Sequence, residues 1–123
     1  MQRFRQIQAW RRSTALGIEL HRVTSGFTRA GHANLRSQLT RAADSIPTNI
    51  VEGCGAASKR DFARFLEVSI KSAMENEHHL LRAQGHHPIS PDDGNRLIGE
   101  VIEIRKMIFG YRRKVLESLH ESP

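Results

Sequence analysis

Cysteine, tryptophan and tyrosine each occur only once in this 123-residue chain. A lone cysteine, Cys54, cannot form a disulfide within one chain, and by itself it cannot build a structural zinc site. We interpret Cys54 as a small buried or half-buried residue rather than a reactive thiol, because buried thiols are mostly inert. The scarcity of cysteine excludes a disulfide-stapled scaffold and a zinc finger.

Long apolar segments are also missing. Uninterrupted apolar runs span only a few positions, and the opening residues MQRFRQIQAWRRS are charged and lack the apolar region of a signal peptide. We therefore expect neither a membrane span nor a secretion signal, and we predict a cytoplasmic protein that does not engage membranes. Leu, Ile, Val and Phe nevertheless make up about a quarter of the chain, above the roughly 20% below which disorder is expected. The length suits one domain, residues 1–123.

Acidic residues are scarce in the first third of the chain. The formal net charge is +6, and residues 1–41 hold eight arginines against one acid, Glu19. A second basic cluster near the other end contains no acid; it consists of Arg105, Lys106, Arg112, Arg113 and Lys114. Positive charge is therefore concentrated in two separate parts of the sequence.

Apolar residues recur with the helical period of 3.6 in four segments. The first predicted helix spans about residues 7–25, and its stripe is Ala9, Leu16, Leu20, Val23 and Phe27. The second stripe is Leu35, Leu39, Ala42, Ile46 and Ile50, with Gly53 and Gly55 as stop signals. Pro47 lies inside this segment, and we expect it to kink the helix or to split it.

Two serines mark the starts of the remaining helices. Ser58 begins a capping box that opens the third helix, which Gly85 ends; its stripe is Phe62, Leu66, Ser69, Ala73, Leu80 and Gln84. Ser90 as N-cap and Pro91 at the first position open a fourth helix of about 28 residues. No comparable segment alternates with period two, and the connections are short. The predicted fold is an all-α, antiparallel up-and-down four-helix bundle.

Two of the helices carry more apolar surface than a single core needs. On the fourth helix this second stripe is Ile98, Ile102, Phe109 and Leu116, and on the first helix it is Ile7, Trp10 and Ile18. These residues either fill a wide core or form a subunit interface, because a soluble monomer rarely exposes a contiguous apolar band. We favour the interface and predict a homo-oligomer.

A bundle also prompts a search for a di-metal carboxylate site, which needs two Glu-x-x-His motifs and two further glutamates. The residue types are present: Glu75 with His78, Glu117 with His120, and the lone Glu19 and Glu52. Antiparallel pairing of the last two helices would hold the motifs roughly 25 Å apart at 1.5 Å per residue. We therefore expect no metal site.

Other chemistry has no positive signal. His78, His79, His86 and His87 are expected to be solvent-exposed, and no nucleophile elbow, P-loop or dinucleotide fingerprint occurs. We predict no catalytic residue and no cofactor. Arg105 and Arg112 lie between the two apolar stripes of the fourth helix, where a charge needs a partner. The partners that we expect are Glu77, Glu52 or Glu75.

The segment RFRQIQAWRR interleaves arginines with Phe4 and Trp10, a pattern compatible with binding of RNA or DNA. Because aromatic residues are few, we expect salt-sensitive contacts to the phosphate backbone rather than sequence reading. The predicted contact residues are Arg3, Arg5, Arg11, Arg12, Arg112, Arg113 and Lys114. One alternative is a merely solvated basic face, and another is a scaffold that binds a protein partner without nucleic acid.

The stretch LRSQLTRAADSIPTNIVEG at residues 35–53 resembles the signature of a four-helix bundle family that includes proteins encoded in intervening sequences of bacterial 23S ribosomal RNA genes. Residues 4–10, 58–69, 72–75 and Glu77 also resemble the family, in the same order along the chain. This resemblance implies a four-helix bundle that assembles as a homopentamer. The chain is also similar to accessory variability proteins of diversity-generating retroelements, which implies a basic bundle that engages nucleic acid and a reverse transcriptase. The resemblance implies no catalytic residues.

Overall fold

The computed structural model describes residues 3–27, 31–86 and 88–119, and within them it is all helical, with no strand. A single 3₁₀ turn, Phe4–Gln6, precedes four α-helices: α1 (Gln8–Val23), α2 (Ala33–Cys54), α3 (Lys59–His86) and α4 (Pro91–Ser118). The predicted all-α class and four-helix bundle are confirmed. None of the described helices is both long and apolar enough to cross a membrane.

The helix ends follow the local signals in the sequence. The hydroxyl of Ser58 accepts a hydrogen bond from the Asp61 amide, and the hydroxyl of Ser90 accepts one from the Asp93 amide. These bonds satisfy amides that have no partner inside the first helical turn. Ahead of α2, Gly31 adopts φ +79°, a left-handed conformation that glycine reaches without steric cost. The α4 helix has the predicted 28 residues.

Two expected breaks are absent. Pro47 lies inside α2, which continues unbroken from Ala33 to Cys54, so of the two predicted outcomes, a kink or a split, the split does not occur. Proline removes the bond to the Ala43 carbonyl, but Ile46 and Ile50 on either side are fully buried and hold the helix against the core. Gly85 does not end α3 either, since the helix runs one residue further, to His86.

Each helix packs against two neighbours, so that the four enclose one core. The Ser69 hydroxyl donates to the Ile46 carbonyl, and the Asn76 amide donates to the Leu39 carbonyl, which fixes α2 antiparallel to α3. The core draws on every helix, and its fully buried large side chains include Leu20, Leu39, Ile46, Ile50, Leu66, Leu80, Leu97, Ile104 and Ile108. The same arrangement places the start of α1 beside the second half of α4.

Candidate functional site

A groove runs between the start of the chain and the second half of α4. Its volume is about 470 Å³, and its lining residues are Gln6, Ile7, Gln8 and Ala9 on one side and Lys106, Met107, Gly110, Tyr111, Arg113 and Lys114 on the other. A groove of this size lies within the range of small-ligand sites. The two parts of the sequence that carry excess positive charge therefore adjoin here.

A second hollow of about 370 Å³ continues along the N-terminal segment, where Arg3, Phe4, Arg5 and Gln6 line it. Gln6 belongs to both hollows. The Phe4 ring stands edge-on to Trp10 at a centroid distance of 5.0 Å, and both rings also pack against the core. The two hollows thus form one path along the basic end of the bundle.

Every charged residue that lines the groove is a cation. None of its ten lining residues is acidic, and Lys106, Arg113 and Lys114 are exposed to solvent. Two carboxylates approach from the same helix: Glu103 lies 3.9 Å from Lys106 and Glu117 lies 3.9 Å from Arg113. Such long, exposed pairs contribute little, so they leave the lysine and the arginine available to an anion.

Two of the arginines predicted to bind phosphate, Arg12 and Arg112, instead form contacts with other residues of the same chain. The Arg12 guanidinium binds the Glu100 carboxylate on α4, and this hydrogen bond raises the pKa of Arg12 above its ordinary value. Arg112 donates to the Ala63 carbonyl at 3.0 Å and lies 3.5 Å from Glu67. Both arginines therefore tie α4 to its neighbours. A carboxylate partner was predicted for Arg112, but that partner is Glu67 and not Glu77, Glu52 or Glu75.

The remaining predicted ligands lie on the outer surface. Arg3, Arg5 and Arg11 are exposed, and the guanidinium of Arg11 donates to the backbone carbonyl of Arg5 at 2.9 Å. This bond holds the N-terminal turn against the start of α1. Arg113 and Lys114 line the groove together with Lys106, which the prediction omitted, and Arg3 and Arg5 line the second hollow. We call these five residues the basic rim; Arg11 lines neither hollow.

The other flank of α4 is apolar. Ile98, Ile102 and Leu116 are half-buried and Phe109 is 58% exposed, so the predicted stripe of α4 is accessible. On α3, Met74 and Leu81 are 56% and 51% exposed, and the sequence prediction missed them. They lie three residues before and four residues after Glu77, so they share the side of α3 that contacts Arg105 on α4. Arg105 contacts Glu77 at 3.8 Å within this surface, as expected. We call this surface, with its set Met74, Leu81, Ile98, Ile102, Phe109 and Leu116, the α3–α4 face.

The predicted interface residues of α1 do not form one surface. Ile7 is buried in the core of its own chain, so it offers no surface to a partner, and Trp10 is half-buried. Ile18 is 69% exposed, but at 100° per residue it points away from the buried Leu16 and not toward the α3–α4 face. The helical period had separated these three residues from the main stripe without showing where each one points.

The histidines do not behave as one exposed group. His79 is buried, against the expectation, and its ring nitrogens lie 3.7 Å from the Glu75 carboxylate and 3.1 Å from the Arg82 guanidinium. Burial lowers the pKa of His79, which the nearby carboxylate opposes. Among the described residues no three metal-binding side chains cluster; His87 and His120 lie outside them. Cys54 is buried, as expected, and burial raises its pKa.

Comparison with known proteins identifies a family and shows a similar solved structure. A family model described as 23S rRNA-intervening sequence protein matches residues 5–110. The fold is similar to a crystal structure of a protein of unknown function from the S23 ribosomal protein family of Bacteroides thetaiotaomicron, with a TM-score of 0.80, 21% identity, and coverage of 85% of this chain and 95% of that one. At this identity the likeness shows the fold alone. No curated protein matches the chain.

Proposed function

The chain belongs to the 23S rRNA-intervening sequence protein family, and from this premise we propose that it is a noncatalytic, self-associating bundle that binds the backbone of RNA or DNA. The groove and its basic rim form the binding surface. The α3–α4 face forms the contact between copies, and the sequence resemblance favours five copies in the assembly. No step of this proposal requires a cofactor.

One observation supports the proposal: Lys106, Arg113 and Lys114 line a groove without an acidic lining residue, and Arg3 and Arg5, about a hundred residues away in sequence, line the hollow that shares Gln6 with it. Lysine and arginine bind phosphates by neutralising charge and releasing counterions, which makes the affinity fall steeply with salt. In an oligomer each copy would repeat the rim, and several weak contacts would then combine into a higher affinity.

The test compares two triple variants of equal charge. In the first, Arg5, Arg113 and Lys114 on the rim are changed to Gln. In the control, Arg22, Arg41 and Lys71 are changed to Gln; these residues are exposed on α1, α2 and α3, away from the groove. Binding of a labelled RNA hairpin is measured over a salt series for both variants and for the unchanged protein.

We expect the rim variant to lose most of its affinity and about 2 to 3 units of salt slope, roughly one for each phosphate contact removed. The control variant has the same net charge as the rim variant but keeps every cation of the rim. It should therefore keep the salt slope of the unchanged protein. If both variants lost the same affinity and the same salt slope, net charge alone would explain the binding, and the proposal would be overturned.

A second candidate function is a protein-binding scaffold that does not touch nucleic acid. The accessible α3–α4 face favours it, because contiguous apolar surface marks protein contacts. A protein that is monomeric in solution and shows no RNA or DNA binding at low salt would select this candidate.

A further inference from the structure

We infer that the groove holds an unpaired nucleotide, so that the protein binds single-stranded RNA or DNA in preference to duplex. This inference rests on the proposed function and makes it more specific. Backbone binding alone would not distinguish a single strand from a duplex, because both present closely spaced phosphates.

The lining of the groove separates apolar from charged surface. The half-buried Met107 and Tyr111 supply most of its apolar part, and the buried Ile7 and Ala9 add only a small exposed fraction, while Lys106, Arg113 and Lys114 supply the cations. A nucleotide has the matching division, with a flat base and a charged phosphate. Proteins that bind single strands combine a positively charged groove with apolar or aromatic surface against the bases.

Hydrogen-bonding side chains are also in place. Gln6 and Gln8 line the groove and are exposed, and each carries an amide that can both donate and accept. In a duplex the pairing edges of the bases are occupied and the bases are stacked, whereas an unpaired base presents its edge and its face. A duplex could therefore use only the cations of the rim.

The second hollow extends the path for a strand. It lies next to the groove through the shared Gln6, and Arg3 and Arg5 add two more cations beside the Phe4 ring. If one nucleotide of a strand occupies the groove, the phosphate of the next nucleotide would lie toward Arg3 and Arg5. An acidic peptide would find the cations as well, but it has no flat base to match the apolar lining.

Gly110 allows a test that leaves the charge unchanged. It lines the groove, and a Cβ placed on it would meet nothing within 4 Å, so Gly110→Gln adds a side chain at the groove without a clash at its Cβ atom. Gly99 is the matched control: it lies on the same helix, its Cβ also would meet nothing within 4 Å, and it is not part of the groove. Gly99→Gln therefore changes the helix equally and leaves the groove open.

The probes are a labelled oligothymidylate, an abasic strand of equal length and a duplex of equal length, titrated by fluorescence anisotropy at one salt concentration. We expect the oligothymidylate to bind about tenfold tighter than the abasic strand, which corresponds to one favourable base contact. Gly110→Gln should abolish this difference, whereas Gly99→Gln should preserve it. A glutamate homopeptide is titrated as the competitor.

The outcomes separate the two proposals. If all three probes bind equally and Gly110→Gln changes nothing, the groove does not hold a base; the inference fails while backbone binding stands. Displacement of the oligothymidylate by the glutamate peptide at equal charge concentration would also overturn it. If no nucleic acid binds at low salt, the proposed function fails and the inference fails with it.

Discussion

Arg12 on α1 and Glu100 on α4 form a two-point ion pair, in which the Arg12 Nε atom donates to Glu100 Oε2 at 3.0 Å and the Nη2 atom donates to Oε1. The two side chains are 33% and 34% exposed. Two-point pairs are the strongest of the charged hydrogen bonds, but partial exposure to water weakens them. The pair joins the first and last helices, which are distant in sequence.

Breaking this pair should lower stability and spare nucleic-acid binding. We expect Arg12→Gln to reduce the free energy of unfolding by about 1 kcal/mol. Glu100→Gln and the double variant complete a double-mutant cycle in chemical denaturation, which isolates the coupling energy. If Arg12→Gln instead left stability unchanged and weakened RNA binding, Arg12 would belong to the binding surface as the sequence first indicated.

Asn76 offers a stabilising substitution. It is fully buried, its amide nitrogen donates to the Leu39 carbonyl, and its Oδ1 atom has no partner. An unsatisfied buried acceptor costs about 1 to 3 kcal/mol. Leucine has the same number and branching of side-chain heavy atoms as asparagine and lacks the unsatisfied oxygen, so we expect Asn76→Leu to shift thermal unfolding upward by several degrees. A downward shift in circular dichroism melting would show that the bond to Leu39 outweighs the unsatisfied oxygen.

Two glycines should respond in opposite directions to alanine. A Cβ on Gly53 would come within 2.6 Å of the Phe62 ring, whereas a Cβ on Gly99 would meet nothing. Overpacking a core costs about 1 to 3 kcal/mol, while alanine at an open helical position gains about 0.5 to 1 kcal/mol. We expect Gly53→Ala to unfold at lower urea concentration than the unchanged chain and Gly99→Ala at higher. If both variants were more stable than the unchanged chain, the prediction for Gly53 would be contradicted. In that case α2 and α3 would have to move apart at little cost in free energy.

His79 should make stability depend on pH. Burial lowers its pKa in the folded state, so the unfolded chain, with an ordinary pKa near 6.5, binds the proton first as the pH falls. The free energy of unfolding should therefore decrease from about pH 7 down to the lowered folded-state pKa, by up to ~1.4 kcal/mol per pH unit.

The variant His79→Gln should flatten this decline, since it removes the buried imidazole. His78 is the adjacent control because its side chain is exposed, and His78→Gln should retain the slope of the unchanged protein. Denaturation curves at several pH values give the slopes. An unchanged slope in His79→Gln would assign the pH dependence to other groups.

The α3–α4 face should govern self-association. Met74→Glu combined with Phe109→Glu places two charges on exposed positions of that face, where burial against another copy would be costly. We expect the native mass to fall to that of the monomer, with the helical content retained. Ile18→Glu is the control, because Ile18 is exposed on a different side of the bundle. Dissociation by the control alone would move the interface to α1.

The helices themselves were predictable from local signals. The hydrophobic period, the serine caps at Ser58 and Ser90, and Gly55 directly after α2 act within a few residues, so the sequence displays them directly. The predicted split at Pro47 was wrong because the helix-breaking tendency of proline, about 3 kcal/mol, is outweighed by the packing of buried neighbours such as Ile46 and Ile50. The predicted end of α3 at Gly85 was one residue short. The four-helix class followed from helix number and loop length.

The candidate site was predictable only in part, because charge along the chain does not show what each charge faces. The sequence by itself determined the four helices, the core stripes and the concentration of arginine and lysine at two places in the chain. Tertiary structure alone decided that Arg12 and Arg112 face Glu100, Ala63 and Glu67, that Ile7 is buried, and that Lys106 lines a groove with Gln6. The physical reason is that helix period fixes which residues share a face, while the packing of helices remote in sequence fixes what that face meets.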